Sequence, residues 1–219
     1  NGDLLVVSME ERRLYRRRGE ATSVHADLSP LHAFHSNDMV VDTSGRAYVG
    51  NIGFDFNAGE TPVTTNVALV AADGAVSLAA SDLMCPNGSV ITPDGKTLII
   101  AESLANRLTA FSIDADGRLS NRRLFAALDG HVPDGLCLDA EGAVWAASPY
   151  AGVVLRVGAN GDIIEQVTIE GANPYACMLG GVDGRDLFIC CAPHHDPKIT
   201  RAARGGRIDA TRAAAPAAG

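Results

Sequence analysis

Three polar residues share one position in a repeated sequence pattern. Asn37, Asn87 and Asp134 each stand eight residues before a glycine that closes a predicted turn. Two amide oxygens and a carboxylate are hard ligands of low total charge, which suits a divalent cation. The alternative is that Asn and Asp are only favourable turn residues ahead of a strand. The shared offset favours a site, and we predict one divalent cation there, Ca²⁺, Mg²⁺, Mn²⁺ or Zn²⁺.

An internal repeat predicts the elements that position these residues. An apolar strand, a turn ending in glycine and a second apolar strand recur in Met39–Val49, Ser89–Ile99 and Leu136–Trp145, and more loosely in Met178–Phe188. The turn glycines of this set are Gly2, Gly45, Gly95, Gly142 and Gly184. A second set of hairpin turns between them is predicted at Gly19, Gly74, Gly117, Gly161 and Gly206. Two hairpins in each period of 42 to 50 residues give four strands, which is typical of a propeller blade.

The predicted fold class is therefore an all-β propeller, with about five blades in this chain. In a propeller the first strand of each blade lines the central channel, so Asn37, Asn87 and Asp134 are expected to converge at one end of it. We assign residues 1–212 to the propeller and residues 213–219 to a low-complexity tail that is expected to fray. The opening residues resemble the second half of a blade hairpin, so the propeller is expected to be incomplete at its N-terminus.

Five segments together resemble the gluconolactonase, regucalcin or senescence-marker-protein family. They are Ser36–Asp42, Pro86–Gly88, Ala101–Phe111, Pro133–Asp139 and Tyr175–Gly181. The resemblance implies a six-bladed propeller that binds one divalent metal in its channel and hydrolyses sugar lactones or other small lactones. It further implies that Asn87 and Asp134 are metal ligands and that Asn37 contacts the substrate.

Two positions depart from the family pattern. The family's remaining protein ligand is a Glu in the first blade, which has no counterpart here because the chain is expected to begin in the second blade. Glu10 and Glu11 lie beyond the opening strand and do not replace it. Regucalcin-like members carry an Arg where this chain has His35, which affects substrate preference. We expect this chain alone to bind metal weakly and to have little or no activity.

Lactone opening needs an electrophile at the carbonyl oxygen and a nucleophilic water. A metal held by Asn87 and Asp134 could supply both, and Asp134 could carry the water proton to the ring oxygen as the catalytic carboxylate. Asn37 would orient the substrate. A non-catalytic propeller that binds a small ligand or Ca²⁺ remains an alternative, as does a protein-interaction platform.

The composition limits the partners. A formal net charge of −8 lacks the basic surface typical of nucleic-acid or anionic-membrane binding, and no apolar run is long enough to span a membrane. The five cysteines form neither a disulfide framework nor a CxxC pair, so a reducing compartment, the cytoplasm, is predicted. A small-molecule lactone is the expected partner, and the oligomeric state stays open.

Two other groups were weighed as sites. His194 and His195 would point to opposite faces of a strand and could not share an ion, so a turn is predicted at His194–Asp196. Ser103 and Ser148 lie outside any GxSxG motif, so serine hydrolase chemistry has no support. Trp145 is predicted to belong to the core.

Overall fold

The computed structural model describes residues 2–218, so Asn1 of the opening segment and Gly219 of the tail lie outside the described residues. The strands of this part of the chain form five sheets of three, four, four, four and three strands. Each four-stranded sheet contains one complete predicted repeat. The all-β prediction is confirmed, and the arrangement consists of five blades of the β-propeller type.

The strands follow the chain order within each sheet. The first sheet contains β1 (Leu4–Ser8), β2 (Arg13–Arg18) and β3 (Ala21–Asp27). The second contains β4 (Ser36–Val41), β5 (Ala47–Asn51), β6 (Thr65–Val70) and β7 (Val76–Leu83). The third contains β8 (Pro86–Ile91), β9 (Thr97–Glu102), β10 (Arg107–Ile113) and β11 (Leu119–Ala127). The fourth contains β12 (Leu136–Leu138), β13 (Val144–Ser148), β14 (Val153–Val157) and β15 (Ile163–Thr168). The fifth contains β16 (Asn173–Gly180), β17 (Asp186–Ala192) and β18 (Arg207–Arg212).

The turn between β12 and β13 shows why the repeat glycines are needed. Gly142 has a φ of +77°, which L-residues with a side chain rarely adopt. The Asp139 carboxylate accepts the backbone N–H groups of Glu141 and Ala143, each at 3.0 Å, and so closes the turn around this glycine. Gly45, Gly95 and Gly184 also have positive φ, which confirms the predicted inner turns.

The predicted hairpin at Gly206 is wrong. A short helix, α1 (Pro197–Ala203), lies between β17 and β18, and Gly206 has no positive φ. The Asp196 side chain caps this helix by accepting the Lys198 N–H at 2.7 Å, and Pro197 follows directly, as is common at the first position of a helix.

The chain divides into two compact units. The first contains the residues up to Asn87 together with Ser112–Asn121, and the second contains Gly88–Phe111 and the residues from Arg122 onward. The first unit has one buried apolar cluster, formed by Leu14, Ala26, Leu28, Ala47, Val49, Ala68 and Val70.

Two buried apolar clusters fill the second unit. The larger one draws on β9, β10, β13 and β14 and includes Leu108 and Leu155. The other surrounds Trp145, which is fully buried together with Cys137, Cys177 and Leu187. The prediction that Trp145 belongs to the core is confirmed.

The C-terminal segment is packed within the second unit, which contradicts the expected fraying. Ala213 and Ala215 are buried. The Ala217 N–H donates to the Gly184 carbonyl at 2.8 Å, and the Ala218 N–H donates to the Leu138 carbonyl at 3.0 Å. Small side chains allow this close approach, and the hydrogen bonds involve only the backbone. Among residues 2–218 no helix is long and apolar enough to cross a membrane.

Candidate functional site

Asn37 lies in a bulge of β4, in the first unit. The pairing of β4 with β5 shifts register between Ser36 and Met39, so Asn37 and Asp38 stand at the irregular step. The Asn37 side chain is half-buried, and its Nδ2 donates to the Pro86 carbonyl oxygen at 3.2 Å. This hydrogen bond fixes the amide beside the residue that immediately precedes Asn87.

A buried histidine supports the start of β4. The Nδ1 of His32 lies 2.8 Å from the Ser36 hydroxyl, and both residues are fully buried. Burial lowers the pKa of His32 to about 4, so the imidazole is neutral near pH 7. The sequence analysis missed this residue, because a single histidine in a loop carries no distinguishing pattern.

Two more side chains flank Asn37 in the sequence. Burial raises the pKa of Asp38, although part of its surface remains exposed to solvent. His35, which replaces the family's Arg, is half-buried and stacks on Phe34 with ring centroids 4.0 Å apart. The bulge therefore presents an amide, a carboxyl and an imidazole within one short segment.

The glycine after Asn87 lies against the backbone around Asp134, within the second unit. A Cβ atom placed on Gly88 would meet the Asp134 carbonyl oxygen, and would lie 2.6 Å from the Leu136 nitrogen and 2.7 Å from the Gly135 Cα. Real Cβ atoms do not approach backbone atoms so closely. Only glycine fits between these two strands, so the start of β8 is in direct contact with the segment that carries Asp134.

Asp134 lies just before β12 and is half-buried. Its backbone N–H donates to the Ala147 carbonyl at 2.8 Å, and the next N–H, that of Gly135, donates to the Tyr175 carbonyl at 2.9 Å. A Cβ on Gly135 would lie 2.7 Å from the Ala176 Cα. The Asp134 segment is thus held between β13 and β16 by backbone contacts.

The backbone at these positions argues against a turn. Gly88 and Gly135 follow Asn87 and Asp134, yet neither adopts a positive φ, unlike the turn glycines of the repeat. They are small because neighbouring backbones touch them. The Asn-Gly and Asp-Gly dipeptides therefore mark close strand contacts.

Tyr175 is a residue near Asp134 that the sequence analysis missed. Burial and the negative charge of Asp134 raise the pKa of its phenol, whereas a hydrogen bond with the Asn173 side chain lowers it. Tyr175 immediately precedes Ala176, which stands eight residues before Gly184. The repeat offset could have indicated this neighbourhood, although Ala176 itself has no polar group.

The side chains that could bind a metal are few. In residues 2–218 no group of three or more His, Cys, Asp and Glu side chains is placed to hold an ion. Asn87 and Asp134 contribute an amide and a carboxylate, donor types that fit a hard divalent cation. They account for part of a coordination shell.

The remaining candidates have structural roles. Ser103 is buried and donates to the Pro133 carbonyl at 2.7 Å, and the Ser148 hydroxyl accepts the Val132 N–H at 3.2 Å. His194 and His195 follow β17 and stack with ring centroids 4.2 Å apart, so the argument that they point to opposite faces of a strand is wrong.

Comparison with known proteins identifies related sequences. The family described as SMP-30/Gluconolactonase/LRE-like region matches residues 1–193. The chain is 30% identical over 168 residues to a 6-deoxy-6-sulfogluconolactonase of Pseudomonas putida, covering 74% of this chain and 56% of that protein. It is 32% identical over 162 residues to regucalcin of Danio rerio, covering 71% of this chain and 54% of that protein. The chain thus spans about half the length of these curated relatives.

A solved structure resembles the fold over the whole chain. It is described as a calcium-binding protein, regucalcin, from Agrobacterium tumefaciens, and it matches with a TM-score of 0.80 and 26% sequence identity. The match covers 100% of this chain and 74% of that one.

Proposed function

Because the chain belongs to the SMP-30/gluconolactonase/LRE-like family, we propose that it serves in the metal-dependent hydrolysis of a sugar lactone or another small lactone. The relative named 6-deoxy-6-sulfogluconolactonase supports the reaction class. The likeness to the regucalcin structure supports our assignment of the blades to a propeller of the six-bladed type. The five free cysteines support a reducing compartment, and we place the protein in the cytoplasm.

Asn87 and Asp134 are the proposed metal ligands. Their oxygen atoms suit Ca²⁺, Mg²⁺, Mn²⁺ or Zn²⁺ in charge and hardness, and other ligands are needed to complete the shell. A divalent cation bound there would polarise the lactone carbonyl and lower the pKa of a bound water.

Asp134 is also the proposed catalytic residue. Its carboxylate would accept a proton from the attacking water and return it to the ring oxygen of the lactone as the ester bond breaks. Asn37 is the proposed substrate-binding residue. Its Nδ2 is engaged by the Pro86 carbonyl, which leaves the amide oxygen to accept a hydrogen bond from a substrate hydroxyl.

The contact between Gly88 and the Asp134 backbone is the observation that carries this proposal. It brings the segment that follows Asn87 against the segment that carries Asp134 and excludes any side chain between them. A site that uses one side chain from each segment requires such an approach.

The proposal is tested by lactone hydrolysis with Mg²⁺, Mn²⁺, Zn²⁺ or Ca²⁺, using this chain and the longest natural form of the protein. In the most active form we expect Asp134→Asn to lower kcat by about 10² to 10⁴ while the melting temperature is retained. The matched control is Asp116→Asn, since Asp116 is an exposed turn carboxylate paired with Arg118. Metal-dependent activity that survives Asp134→Asn unchanged would contradict the assignment.

A non-catalytic role in Ca²⁺ or small-ligand binding is the second candidate. It is supported by the regucalcin structure, which is described as a calcium-binding protein. Ca²⁺ binding measured by calorimetry, with its loss in Asp134→Asn and no lactone turnover under any metal, would favour this role over hydrolysis.

A further inference from the structure

Cys137 and Cys177 touch through their sulfur atoms inside the second unit. Their Sγ atoms are 3.8 Å apart, and the residues are 3% and 5% exposed. Cys137 lies in β12 and Cys177 in β16, which belong to different sheets. A disulfide needs a sulfur separation of about 2.0 Å, so bond formation requires a shift of somewhat under 2 Å.

The backbones around the two thiols are already held close together. The Gly135 N–H donates to the Tyr175 carbonyl at 2.9 Å, two residues before each cysteine. The Gly135 backbone also leaves no room for a Cβ atom against Ala176. The Cys177 Sγ lies 3.8 Å from the Gly135 carbonyl oxygen, so its side chain is directed toward the β12 segment. Side-chain rotation and a small backbone shift can therefore join the two sulfurs.

The other cysteines differ from this pair in their surroundings. Cys190 and Cys191 are neighbours in β17, one exposed and one buried, which is the alternation expected of a strand. Cys85 is half-buried and lies in the first unit. Cys190 therefore offers a matched control for exposed thiol oxidation.

We propose that Cys137 and Cys177 form a reversible disulfide when the protein meets a peroxide, joining β12 to β16. One thiolate attacks a peroxide oxygen, the O–O bond breaks, and a sulfenic acid and water form. The second thiol then displaces water from the sulfenic sulfur, so that two thiols and one hydrogen peroxide give one disulfide and two waters. Hydrogen peroxide is small and uncharged, which suits a buried pair.

The order of the two thiols follows from their surroundings. The hydrogen bond with Cys137 and burial both raise the pKa of Cys177, so this thiol stays protonated. We therefore assign the first attack on peroxide to Cys137 and the second step to Cys177. Because the Cys177 thiol lies next to the sulfenic acid, disulfide formation precedes further oxidation.

The bond would connect the candidate site to the redox state of the cell. Asp134 lies three residues before Cys137, and Tyr175 lies two residues before Cys177. A covalent link between β12 and β16 therefore fixes the spacing of the segments that carry them. The inference concerns the thiols themselves and holds whether or not the chain acts on lactones.

The test is peptide mapping by mass spectrometry after treatment of the intact chain with hydrogen peroxide. Free thiols are alkylated in denaturant before digestion. We expect a linked peptide pair containing Cys137 and Cys177, lighter by two hydrogen atoms and released by dithiothreitol. The link closes a loop of 40 residues, so the melting temperature should rise by roughly 5–15 °C.

Variants and the single tryptophan provide the controls. Trp145 is the cross-strand partner of Cys137, so its fluorescence should change on oxidation. Cys190→Ser should retain the link, the melting shift and the fluorescence change, whereas Cys177→Ala should lose all three. Full alkylation of Cys137 and Cys177 in the peroxide-treated wild-type chain overturns the proposal, as does their conversion to sulfinic acids without a link. The wild-type mapping alone decides the result if Cys177→Ala fails to fold.

Discussion

Replacing Gly88 by alanine tests the close strand contact beside Asp134. The added methyl group would meet the Asp134 carbonyl oxygen and come within 2.6 Å of the Leu136 nitrogen. Both are backbone atoms, so the clash cannot be relieved by turning a flexible side chain. The start of β8 or the Asp134 segment must move.

The cost is that of overpacking at a rigid contact. Such insertions cost about 1–3 kcal/mol, and we place Gly88→Ala near the upper end because backbone atoms form the contact. For a chain of this length each kcal/mol lowers the melting temperature by about 2–4 °C, so we expect a fall of roughly 6–12 °C. Glycine-to-alanine replacement also reduces unfolded-state entropy, which offsets up to ~1 kcal/mol.

Gly180→Ala is the matched control. Gly180 also lies in a strand without a positive φ, and its added methyl would meet only the Phe188 ring edge at 3.4 Å. Both variants gain the same unfolded-state term, so their difference isolates the backbone clash. Calorimetric melting of both variants should place Gly88→Ala well below Gly180→Ala. Equal melting temperatures would refute the close approach of the Gly88 and Asp134 backbones.

Two further predictions concern buried polar groups. The folded-state pKa of His32 is about 4 and its unfolded value is 6.5, so the unfolded chain binds a proton first and stability should fall by ~3 kcal/mol as the pH drops from about 6.5 to 4. Urea titrations across this range should show that loss in the wild type and a smaller one in His32→Phe, and parallel profiles would contradict the buried neutral imidazole. The fully buried Glu102 carboxylate accepts hydrogen bonds from Arg107 at 2.9 Å and Thr109 at 2.5 Å. Glu102→Gln should cost about 2–3 kcal/mol in urea unfolding, whereas the exposed control Asp116→Asn should cost under ~0.5 kcal/mol, and equal values would show that this buried carboxylate contributes no more than a surface one.

The regular part of the fold follows from local sequence signals. Positive φ at Gly45, Gly95 and Gly142 confirms turns that were predicted from glycine spacing alone. Such turns depend on four or five consecutive residues, so a single sequence contains the information that determines them. The helix α1 was missed because seven residues give too few turns for helical periodicity, although Asp196 and Pro197 form a recognisable start signal.

The C-terminal segment shows what composition does not reveal. An alanine-rich end without polar or bulky side chains predicts fraying, yet Ala217 and Ala218 donate backbone hydrogen bonds to Gly184 and Leu138. These bonds involve groups that every non-proline residue has, so no residue type signals them. The His194–His195 stack was likewise missed, because it depends on the path of the chain after β17 and not on strand alternation.

The candidate site combines both kinds of information. Asn-Gly and Asp-Gly read in sequence as turns, and the offset from the repeat glycine was the reason to prefer a site at Asn87 and Asp134. The structure adds a physical distinction, because Gly88 and Gly135 lack the positive φ of a turn and instead lie against neighbouring backbones. Each glycine is therefore required by the approach of the next strand, and the polar residue before it stands where two strands begin side by side. A polar residue selected only for turn formation would have no need of that contact. Tyr175 illustrates the converse, since its backbone makes the equivalent contact with Gly135 and its phenol feels the charge of Asp134 without any polar residue at Ala176.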